Sequence, residues 1–432
     1  MIGIIMTIII AVIMMLVVIM LNAVIPRRRV LRNITAGWNM IFGRRKTGKT
    51  FFVRNFMEFD RFFFVERDGT VREMVSTGTV REYTWREFLI LFEEILGKER
   101  IVIDEFHRLP EKFMDLLHAV GMKGELTLIT STIWLAEQLL RNSPLLGLVN
   151  PVSVGLIDEL DILQGLRGVI ENRELVESAV YLREPLLIPE FVPPMRDFLA
   201  RYLRRGKYII KGLLGEIFTE EGRTLTEIYD TILKSVANGQ NISTEIASIL
   251  YSRGLIPKDN PALLQKHLDI LVSIGLLNRF KVFGKKKFRY YHSSPLLDLH
   301  YYIEAKYGGE AELLEQFVRK VIDERLPRHV EWFLRDLMGK KYQLVPQIIE
   351  DKEIDIALTD FNEIRVVAEV KWRKHVGTEE VKKVEEKLQQ FTGAMKIMIV
   401  PEKNVLERAP VGIEVWDTND IATMTDNIAD NG

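Results

Sequence analysis

Cysteine is absent from this sequence of 432 residues. Disulfide bonds and thiolate zinc sites are therefore excluded, which suits a protein that faces the reducing cytosol. Histidine is scarce as well, with 7 residues, so a histidine-based metal cluster is not expected. The formal net charge is only −1. No global electrostatic field favours nucleic acid, and any such affinity must come from a local basic surface.

Hydrophobic residues, in contrast, make up 47% of the chain, which is enough to build buried cores. At roughly 150 residues per domain, the length predicts about three domains.

The first 25 residues contain no charged side chain, and an apolar stretch of this length can cross a bilayer as a helix. Pro26 ends the stretch, and Arg27, Arg28 and Arg29 follow it. The positive-inside rule then predicts a transmembrane helix over residues 1–25 that anchors the chain to a membrane, with the rest in the cytoplasm. A signal peptide fits less well, because a basic first segment is missing. The other alternative is a misassigned start codon and a cytoplasmic protein that begins near Pro26.

Residues 43–50 read GRRKTGKT and match the phosphate-binding pattern G-x-x-x-x-G-K-[ST], between a predicted strand over 39–42 and a predicted helix. The glycines allow backbone N–H groups to surround phosphates. Lys49 would reach the β- and γ-phosphates, and the Thr50 hydroxyl would complete a Mg²⁺ shell. The expected ligand is ATP with Mg²⁺. The expected nucleotide-binding residues are Gly43, Arg44, Arg45, Lys46, Thr47, Gly48, Lys49 and Thr50.

A second apolar strand, predicted over 100–105, ends in two acids. A buried parallel strand would deliver both carboxylates to the carboxyl edge of the sheet. Asp104 would hold Mg²⁺ through water, and Glu105 would polarise the attacking water, so that Glu105 and Lys49 are the expected catalytic residues. The alternative is a strand end that is merely capped by acids.

The next predicted strand, residues 126–132, ends in hydroxyl side chains. Thr130 or Ser131 would sense the γ-phosphate from this neighbouring strand. Hydroxyls at such positions also serve as plain helix caps, which is the alternative for both residues.

Three predicted helices and a hairpin within residues 225–291 describe a winged helix-turn-helix. The third helix opens with Asn260 as its cap and Pro261 as its first residue. The hairpin turns at Gly284 and Lys285 and carries several basic side chains. Such a module would place its third helix in the major groove of double-stranded DNA and its wing on phosphate. Packing within the protein, or against a protein partner, is the alternative.

The sequence pattern of the C-terminal part predicts two helices, residues 311–323 and 328–338, followed by strands over 353–358 and 364–372. A charged helix over 379–390 and a further strand complete the pattern.

Two acids and a lysine converge if these two strands pair. Side chains alternate along a strand, so Glu369 and Lys371 share a face, which would be turned toward Asp355. This is the layout of a PD-(D/E)xK nuclease, in which Asp355 and Glu369 would bind Mg²⁺ and Lys371 would orient the hydrolytic water. Glu331, on the preceding helix, would supply a further acid.

Four segments, GRRKTGKT, VIDEFHRLP at 102–110, LITST at 128–132 and SPLLG at 143–147, together closely resemble the archaeal P-loop ATPases of the AAA/STAND-related type. The resemblance implies an ATPase core, a winged helix and a nuclease-like C-terminal domain. The family usually has Pro-Leu-Tyr-Gly-Arg in the last segment, whereas here Leu146 stands in place of Tyr and Leu148 in place of Arg. Turnover would then be slow, or would rely on Arg141 or Arg167.

The predicted fold class is α/β, with a P-loop parallel-sheet core followed by a winged helix and a small α/β nuclease-like domain. The predicted boundaries are 1–25 for the membrane helix, 26–205 for the ATPase, 206–307 for the winged helix and 308–432 for the nuclease-like domain. The expected function is a Mg²⁺-dependent ATPase whose nucleotide state controls modules that act on DNA, with a homo-oligomer as a further candidate state. The alternatives are a slow ATP-dependent switch or scaffold without nuclease activity, and a replication-initiator-like loader, which does not explain the C-terminal domain.

Overall fold

A computed structural model describes residues 25–74, 80–142, 147–308 and 314–424. Their α-helices are α1 (Arg28–Leu31), α2 (Lys49–Phe56), α3 (Trp85–Ile95), α4 (Lys112–Val120), α5 (Ile133–Asn142), α6 (Glu159–Leu166), α7 (Asn172–Leu182), α8 (Met195–Glu220), α9 (Glu227–Ala237), α10 (Ser243–Ser252), α11 (Pro261–Ser273), α12 (Pro295–Tyr307), α13 (Glu315–Tyr342), α14 (Thr378–Gln389) and α15 (Thr418–Thr423). Their strands are β1 (Trp38–Phe42), β2 (Arg61–Val65), β3 (Val71–Met74), β4 (Val80–Tyr83), β5 (Ile101–Asp104), β6 (Leu126–Thr130), β7 (Asn150–Ser153), β8 (Leu277–Lys281), β9 (Phe288–His292), β10 (Val345–Gln347), β11 (Ile356–Asp360), β12 (Glu363–Val370), β13 (Met395–Ile399) and β14 (Glu414–Trp416).

The first sheet has seven strands in the order β4-β3-β2-β5-β6-β1-β7. Strands β2, β5, β6, β1 and β7 are parallel, and β3 and β4 extend one edge in antiparallel fashion. Every residue of β5 and β6 is buried, as expected for central strands covered on both faces. The predicted α/β fold with a parallel-dominated sheet is confirmed. Its topology brings the carboxyl ends of β1, β6 and β5 to one edge.

Aromatic packing fixes one face of this sheet. Phe63 of β2 lies against Phe88 of α3, with ring centroids 5.1 Å apart, and Phe92 lies against Phe113 at 5.2 Å. The other face buries Phe52 of α2. The sheet is therefore held from both sides, and the loops at its carboxyl edge are presented on a rigid base.

Helices α9, α10 and α11 are followed by the β8–β9 hairpin, which is the order of elements predicted for a winged helix. Asn260 caps α11 as predicted, because its Oδ1 accepts a hydrogen bond from the Ala262 N–H at 3.0 Å. The buried face of α11 carries Leu264, Leu268 and Leu271, also as predicted. Helix α8 leads into this module and passes without a break through residue 205.

The C-terminal sheet has the order β10-β11-β12-β13-β14, with β11 and β12 antiparallel and the last three strands parallel. The two helices predicted before it are in fact one 28-residue helix, α13, which passes through Pro327. An internal proline costs a helix about 3 kcal/mol. Burial of Leu326, Val330 and Leu334 in the main hydrophobic core stabilises the helix on both sides of the proline and offsets that cost.

The winged-helix hairpin and the C-terminal sheet are joined by backbone hydrogen bonds. The N–H of Phe283 donates to the Ile348 carbonyl at 2.9 Å, and the N–H of Ile348 donates to the Lys281 carbonyl at 3.0 Å. The tip of the wing is therefore docked on its own chain.

The prediction of a membrane-anchored protein is wrong for the part of the chain that the structure describes. None of the helices in that part is long and apolar enough to cross a membrane. The predicted span, residues 1–25, lies outside the described residues except for Ile25, which is buried in the main hydrophobic core. The predicted membrane localisation is corrected accordingly.

Candidate functional site

The phosphate loop joins the end of β1 to the start of α2, as the sequence predicts. Gly43 lies where a side chain has no room, because a Cβ there would be 2.1 Å from the Val154 carbonyl oxygen. Gly48, the N-cap of α2, has φ +82, in the left-handed region that favours glycine. Both glycines of the motif are thus required by the backbone.

The loop leaves a run of backbone donors free. Within the described chain, none of the N–H groups of residues 45–50 donates a hydrogen bond, and the first bond of the helix runs from Phe52 N–H to the Gly48 carbonyl. Consecutive free N–H groups at a helix N-terminus, with the positive end of the helix dipole behind them, form an anion site. The loop therefore fits the phosphates of a nucleotide.

Lys49 is buried inside the loop. Its ammonium group donates to the carbonyls of Gly43, at 2.9 Å, and Arg44, at 3.0 Å. Burial lowers the pKa of Lys49 to about 8, although the nearby Glu105 and Asp104 carboxylates oppose the shift. A phosphate would give this ammonium group a charged partner in place of two carbonyls.

Thr50 and Asp104 meet across the loop. The Thr50 hydroxyl donates to Asp104 Oδ2 at 2.6 Å. Hydroxyl and carboxylate oxygens are ligands that suit Mg²⁺, and in this arrangement Thr50 would hold the ion directly and Asp104 would hold it through water. Burial raises the pKa of Asp104 to about 6, and a bound cation would favour its ionised form. The two predicted metal ligands therefore lie together and fit the metal.

Glu105, the second acid, has a strained backbone. Its φ of 57 lies in the left-handed region, which costs a non-glycine residue about 1 kcal/mol or more. Its carboxylate accepts a hydrogen bond from Ser131 Oγ at 3.0 Å and lies 3.4 Å from His107 Nδ1. The strain aims this carboxylate at the end of the neighbouring strand β6.

Thr130 lies between the loop and the acids, because β6 separates β1 from β5 and Thr130 pairs with Phe42. Its buried hydroxyl is hydrogen bonded to His107 Nδ1 at 3.0 Å and accepts from the Thr132 N–H at 3.1 Å. The predicted sensor is therefore well placed, but its hydroxyl is engaged with protein groups, one of them in the turn that opens α5.

The side chain of Arg44 turns away from the loop. It forms an ion pair with Glu184 at 2.6 Å, and both side chains are buried. Glu184 also accepts a hydrogen bond from the hydroxyl of Ser294, the N-cap of α12, at 2.6 Å. A buried chain of polar contacts thus joins the phosphate loop to the segment that follows the wing.

Arg45 contacts the last turn of α8. It pairs with Glu216 at 2.6 Å and with Glu220 at 2.8 Å. Sequence reasoning missed Glu216, Glu220 and Glu184, because they lie more than 130 residues away from the loop and no local pattern marks them. His107 lies within the quoted segment 102–110 but was given no role.

An apolar cavity of about 270 Å³ adjoins the loop. Its lining includes Gly48 and Phe51 on the loop side and Ile157 and Leu186 on the other. Arg27 borders it as well, and its guanidinium donates to the carbonyls of Thr47 and Gly155. An apolar cavity beside a phosphate site is suited to a planar base.

Glu105, His107 and Glu220 bring one ligand atom each within 4.8 Å of one another, and they are the one such group in the described part of the chain. Arg45 and Arg108 already lie 2.8 Å and 3.7 Å from Glu220. Two guanidinium groups neutralise the carboxylates and repel a cation, so we do not read this cluster as a metal site.

The residues predicted for a nuclease-like site do converge. Asp355 directly precedes β11, and its Oδ2 accepts from the Val370 N–H at 2.9 Å. Lys371 Nζ lies 2.8 Å from Glu369 and 3.9 Å from Asp355. Burial, and then the negative charge of the nearby Asp355, raise the pKa of Glu331 to about 8. Sequence reasoning missed Lys387 of α14, which lies 2.5 Å from Glu369.

This arrangement does not fit a Mg²⁺ site. The ligand oxygens of Glu331, Asp355 and Glu369 do not all lie within 4.8 Å of one another. The two oxygens of Glu369 are each engaged by an ammonium group, one from Lys371 and one from Lys387. A metal would have to displace a lysine, so we derive no cleavage step here.

Three basic residues of the wing are paired with one acid of the C-terminal part. Lys287, Arg289 and Lys285 lie 2.9, 2.8 and 3.3 Å from Glu350. Lys285 also lies 3.0 Å from Asp351. The structure shows the wing in contact with its own chain. Packing within the protein was the alternative to DNA contact in the sequence analysis.

Leu148, the departure from the family pattern, packs against the hydrophobic core beneath the first sheet. The side chain of Arg141 lies outside the described residues.

Neither a protein-family model nor a curated protein matches this sequence. Among solved structures, the chain is similar to the ORC2 protein of Aeropyrum pernix in its ADPNP–ADP complexes, with 12% identity, a TM-score of 0.26, and coverage of 70% of this chain and 92% of that one. The ADP form of the same protein gives 12% identity, the same coverage and a TM-score of 0.29. Drosophila ORC bound to DNA gives 14% identity, a TM-score of 0.23, and coverage of 66% and 90%.

These TM-scores are below 0.5, so the function proposed below rests on the residues of this chain. The comparisons do not show the nuclease-like domain that the resemblance implies.

Proposed function

We propose that this protein binds ATP with Mg²⁺ and hydrolyses it. The observation that carries the proposal is the hydrogen-bonded pair of Thr50 and Asp104, which lies at the foot of a glycine-bounded loop whose N–H groups are free. Phosphoryl transfer needs mainly positioning and charge neutralisation, and this arrangement supplies both.

Each residue has a separate task. Lys49 exchanges its carbonyl partners for phosphate oxygens, and Thr50 and Asp104 hold the cation. Mg²⁺, when bound, would neutralise charge on the β- and γ-phosphates. Glu105 orients the attacking water once its carboxylate leaves Ser131. The apolar cavity beside Gly48 receives the base.

The test is ATP turnover and ATP binding by the whole chain, compared with Lys49→Ala and Glu105→Gln. Lys49→Ala should abolish both binding and turnover. Glu105→Gln should retain binding within about threefold and lose turnover by two orders of magnitude or more, because it keeps the shape but not the base. Turnover that survives Lys49→Ala would refute the proposal.

We propose further that nucleotide state is passed to the winged helix, and that double-stranded DNA is the partner of that module. Two routes support the first part: Arg44 to Glu184 to Ser294, and Arg45 to the end of α8. The predicted boundaries, 26–205, 206–307 and 308–432, describe three functional parts in this proposal, with α8 shared by the first two. The homo-oligomer stays a prediction from the sequence.

A second candidate, an ATP-dependent switch without nuclease activity, is favoured by one observation. Glu369 is already paired with two lysines, Lys371 and Lys387. Incubation of supercoiled plasmid with the protein, Mg²⁺ or Mn²⁺, and ATP should leave the plasmid intact. Nicking by the wild type that is lost in Asp355→Asn would contradict the hypothesis of a switch without nuclease activity and would support the nuclease hypothesis.

A further inference from the structure

The carboxylate of Glu220 lies among donors of the kind that hold a phosphate. Its oxygens are 2.8 Å from Arg45 Nη1 and 3.3 Å from Ser131 Oγ. They are 3.6 Å from His107 Nε2 and 3.7 Å from Arg108 Nη2. Two guanidinium groups, an imidazole and a hydroxyl thus surround Glu220. His107, Arg108 and Ser131 also lie within 4 Å of the Glu105 carboxylate. Arginine is preferred wherever a planar or tetrahedral oxyanion is bound.

This cluster borders the phosphate end of the nucleotide site. Arg45 belongs to the phosphate loop, and it lines an open cleft of about 500 Å³ together with Glu105 and Arg108. Ser131 follows Thr130, whose strand position is next to Phe42 at the start of the loop. The donors therefore face the edge of the sheet where the terminal phosphate of ATP would lie.

We propose that Arg45, His107 and Arg108 form a binding site for a phosphoryl anion, the γ-phosphoryl group of ATP, and that Glu220 fills this site until the nucleotide displaces it. The inference rests on the ATP site proposed above. Glu105 already shares three of these donors with Glu220. A phosphoryl group would be a further anion and would be strongly repelled by Glu220, so ATP and the Glu220 carboxylate exclude each other. ADP lacks the competing group and leaves Glu220 in place.

The displacement has a structural consequence because Glu220 is the last residue of α8. Its neighbour Glu221 caps α5, accepting from the N–H groups of Ile133 at 2.6 Å and Trp134 at 2.9 Å. After Glu221 the chain passes into the winged helix. Loss of the Glu220 contacts therefore releases the end of α8, which connects the ATPase part to the winged helix. In this way binding of the γ-phosphoryl group is passed on to the winged helix.

The test compares binding of the non-hydrolysable analogue AMP-PNP with binding of ADP, both with Mg²⁺, by calorimetry. Glu220→Gln should tighten AMP-PNP binding about tenfold, the scale of a hydrogen bond between charged groups, and change ADP binding less than twofold. Glu216→Gln is the matched control: this residue also pairs with Arg45, but it is 43% exposed. The control should change AMP-PNP binding less than threefold.

A further arm separates the two sources of the anion. If the site also takes free phosphate, Glu220→Gln with ADP bound will bind inorganic phosphate at millimolar concentration and the wild type will not. Tightening for AMP-PNP alone assigns the site to the γ-phosphoryl group. Equal effects on ADP and AMP-PNP, or no effect on either, overturn the inference while leaving the ATP site intact. Absence of nucleotide binding in the wild type overturns both proposals.

A fluorescence measurement on the wild type needs no change at the site. Trp134 is 49% exposed and its backbone N–H donates to Glu221, so release of the α8 end should alter its emission. AMP-PNP should change the emission, ADP should not, and Trp134→Phe should lack the change. Identical spectra with both nucleotides would contradict the displacement, even if a Glu220 variant proved unstable.

Discussion

Arg44 in the phosphate loop and Glu184 form a 2.6 Å ion pair in which the two side chains are 4% and 2% exposed. The pair holds the side chain of Arg44 against a residue outside the phosphate loop. Because Glu184 also binds the hydroxyl of Ser294, the shape of the loop depends on a segment 250 residues further along the chain.

Arg44→Met should lower the free energy of unfolding by about 3–5 kcal/mol, because it leaves the Glu184 charge buried without its partner. The double variant Arg44→Met with Glu184→Leu should recover much of that loss, since apolar residues often replace a buried ion pair at little cost. Urea unfolding followed by circular dichroism measures both. A free energy of unfolding of Arg44→Met within about 1 kcal/mol of the wild-type value would show that the pair contributes little to stability.

Gly43→Ala should abolish nucleotide binding, because the added Cβ would lie 2.1 Å from the Val154 carbonyl oxygen. Gly69→Ala is the matched control: φ is +87 there, but nothing lies within 4 Å of the added carbon. The control should lose about 1 kcal/mol of stability through backbone strain alone and keep nucleotide affinity. Equal losses of affinity in the two variants would show that the collision with Val154 is not the cause.

Stability should fall as pH rises from about 4.5 to 8, in part because of Glu331. Burial, followed by the nearby Asp355, raises the pKa of Glu331 from 4.5 to about 8. Between these values the folded chain binds a proton that the unfolded chain has lost, so the free energy of unfolding decreases with pH. Glu331→Gln cannot lose a proton and should flatten this slope, most clearly above pH 6, where Asp355 with its pKa of about 6 has already titrated.

Urea midpoints at pH 5, 6, 7 and 8 provide the measurement. The variant should be more stable than the wild type at pH 8, by an amount on the order of a few kcal/mol. Parallel curves for the two proteins would show that Glu331 is not protonated in the folded state at neutral pH.

Glu350→Gln should increase affinity for duplex DNA, because Lys285, Lys287 and Arg289 lose the carboxylate that neutralises them. The logarithmic salt dependence should also steepen, by about 0.9 for each freed cation that contacts a phosphate. Asp351→Asn is the control, since Asp351 is 79% exposed and pairs with Lys285 alone among these three. Fluorescence anisotropy with a labelled duplex at several salt concentrations measures both effects. Unchanged binding in Glu350→Gln would mean that the wing does not contact DNA.

Local patterns were sufficient for the parts of the fold that depend on short segments. The motif over residues 43–50 predicted a strand, a loop and a helix, because its spacing and the residues on either side of it are local signals. The lack of room for a side chain at Gly43, in contrast, is imposed by the distant Val154. The helices and the hairpin within residues 225–291 were predictable for a similar reason: the Asn260 cap and the turn at Gly284 are local signals. At Pro327 the local signal predicts the end of a helix, but α13 continues through this residue because side chains along the whole helix are buried.

The sequence by itself determined which chemistry is present: the lysine, the hydroxyl and the carboxylates of a nucleotide site, and the acids and lysine of a second cluster. The tertiary structure alone decided which of these groups are free to act. Glu220 on Arg45, Glu350 on the wing and Lys387 on Glu369 are contacts between residues of different segments of the chain. Such contacts depend on how helices and sheets pack together, and side-chain periodicity within one segment carries no information about the partner that packing brings to it.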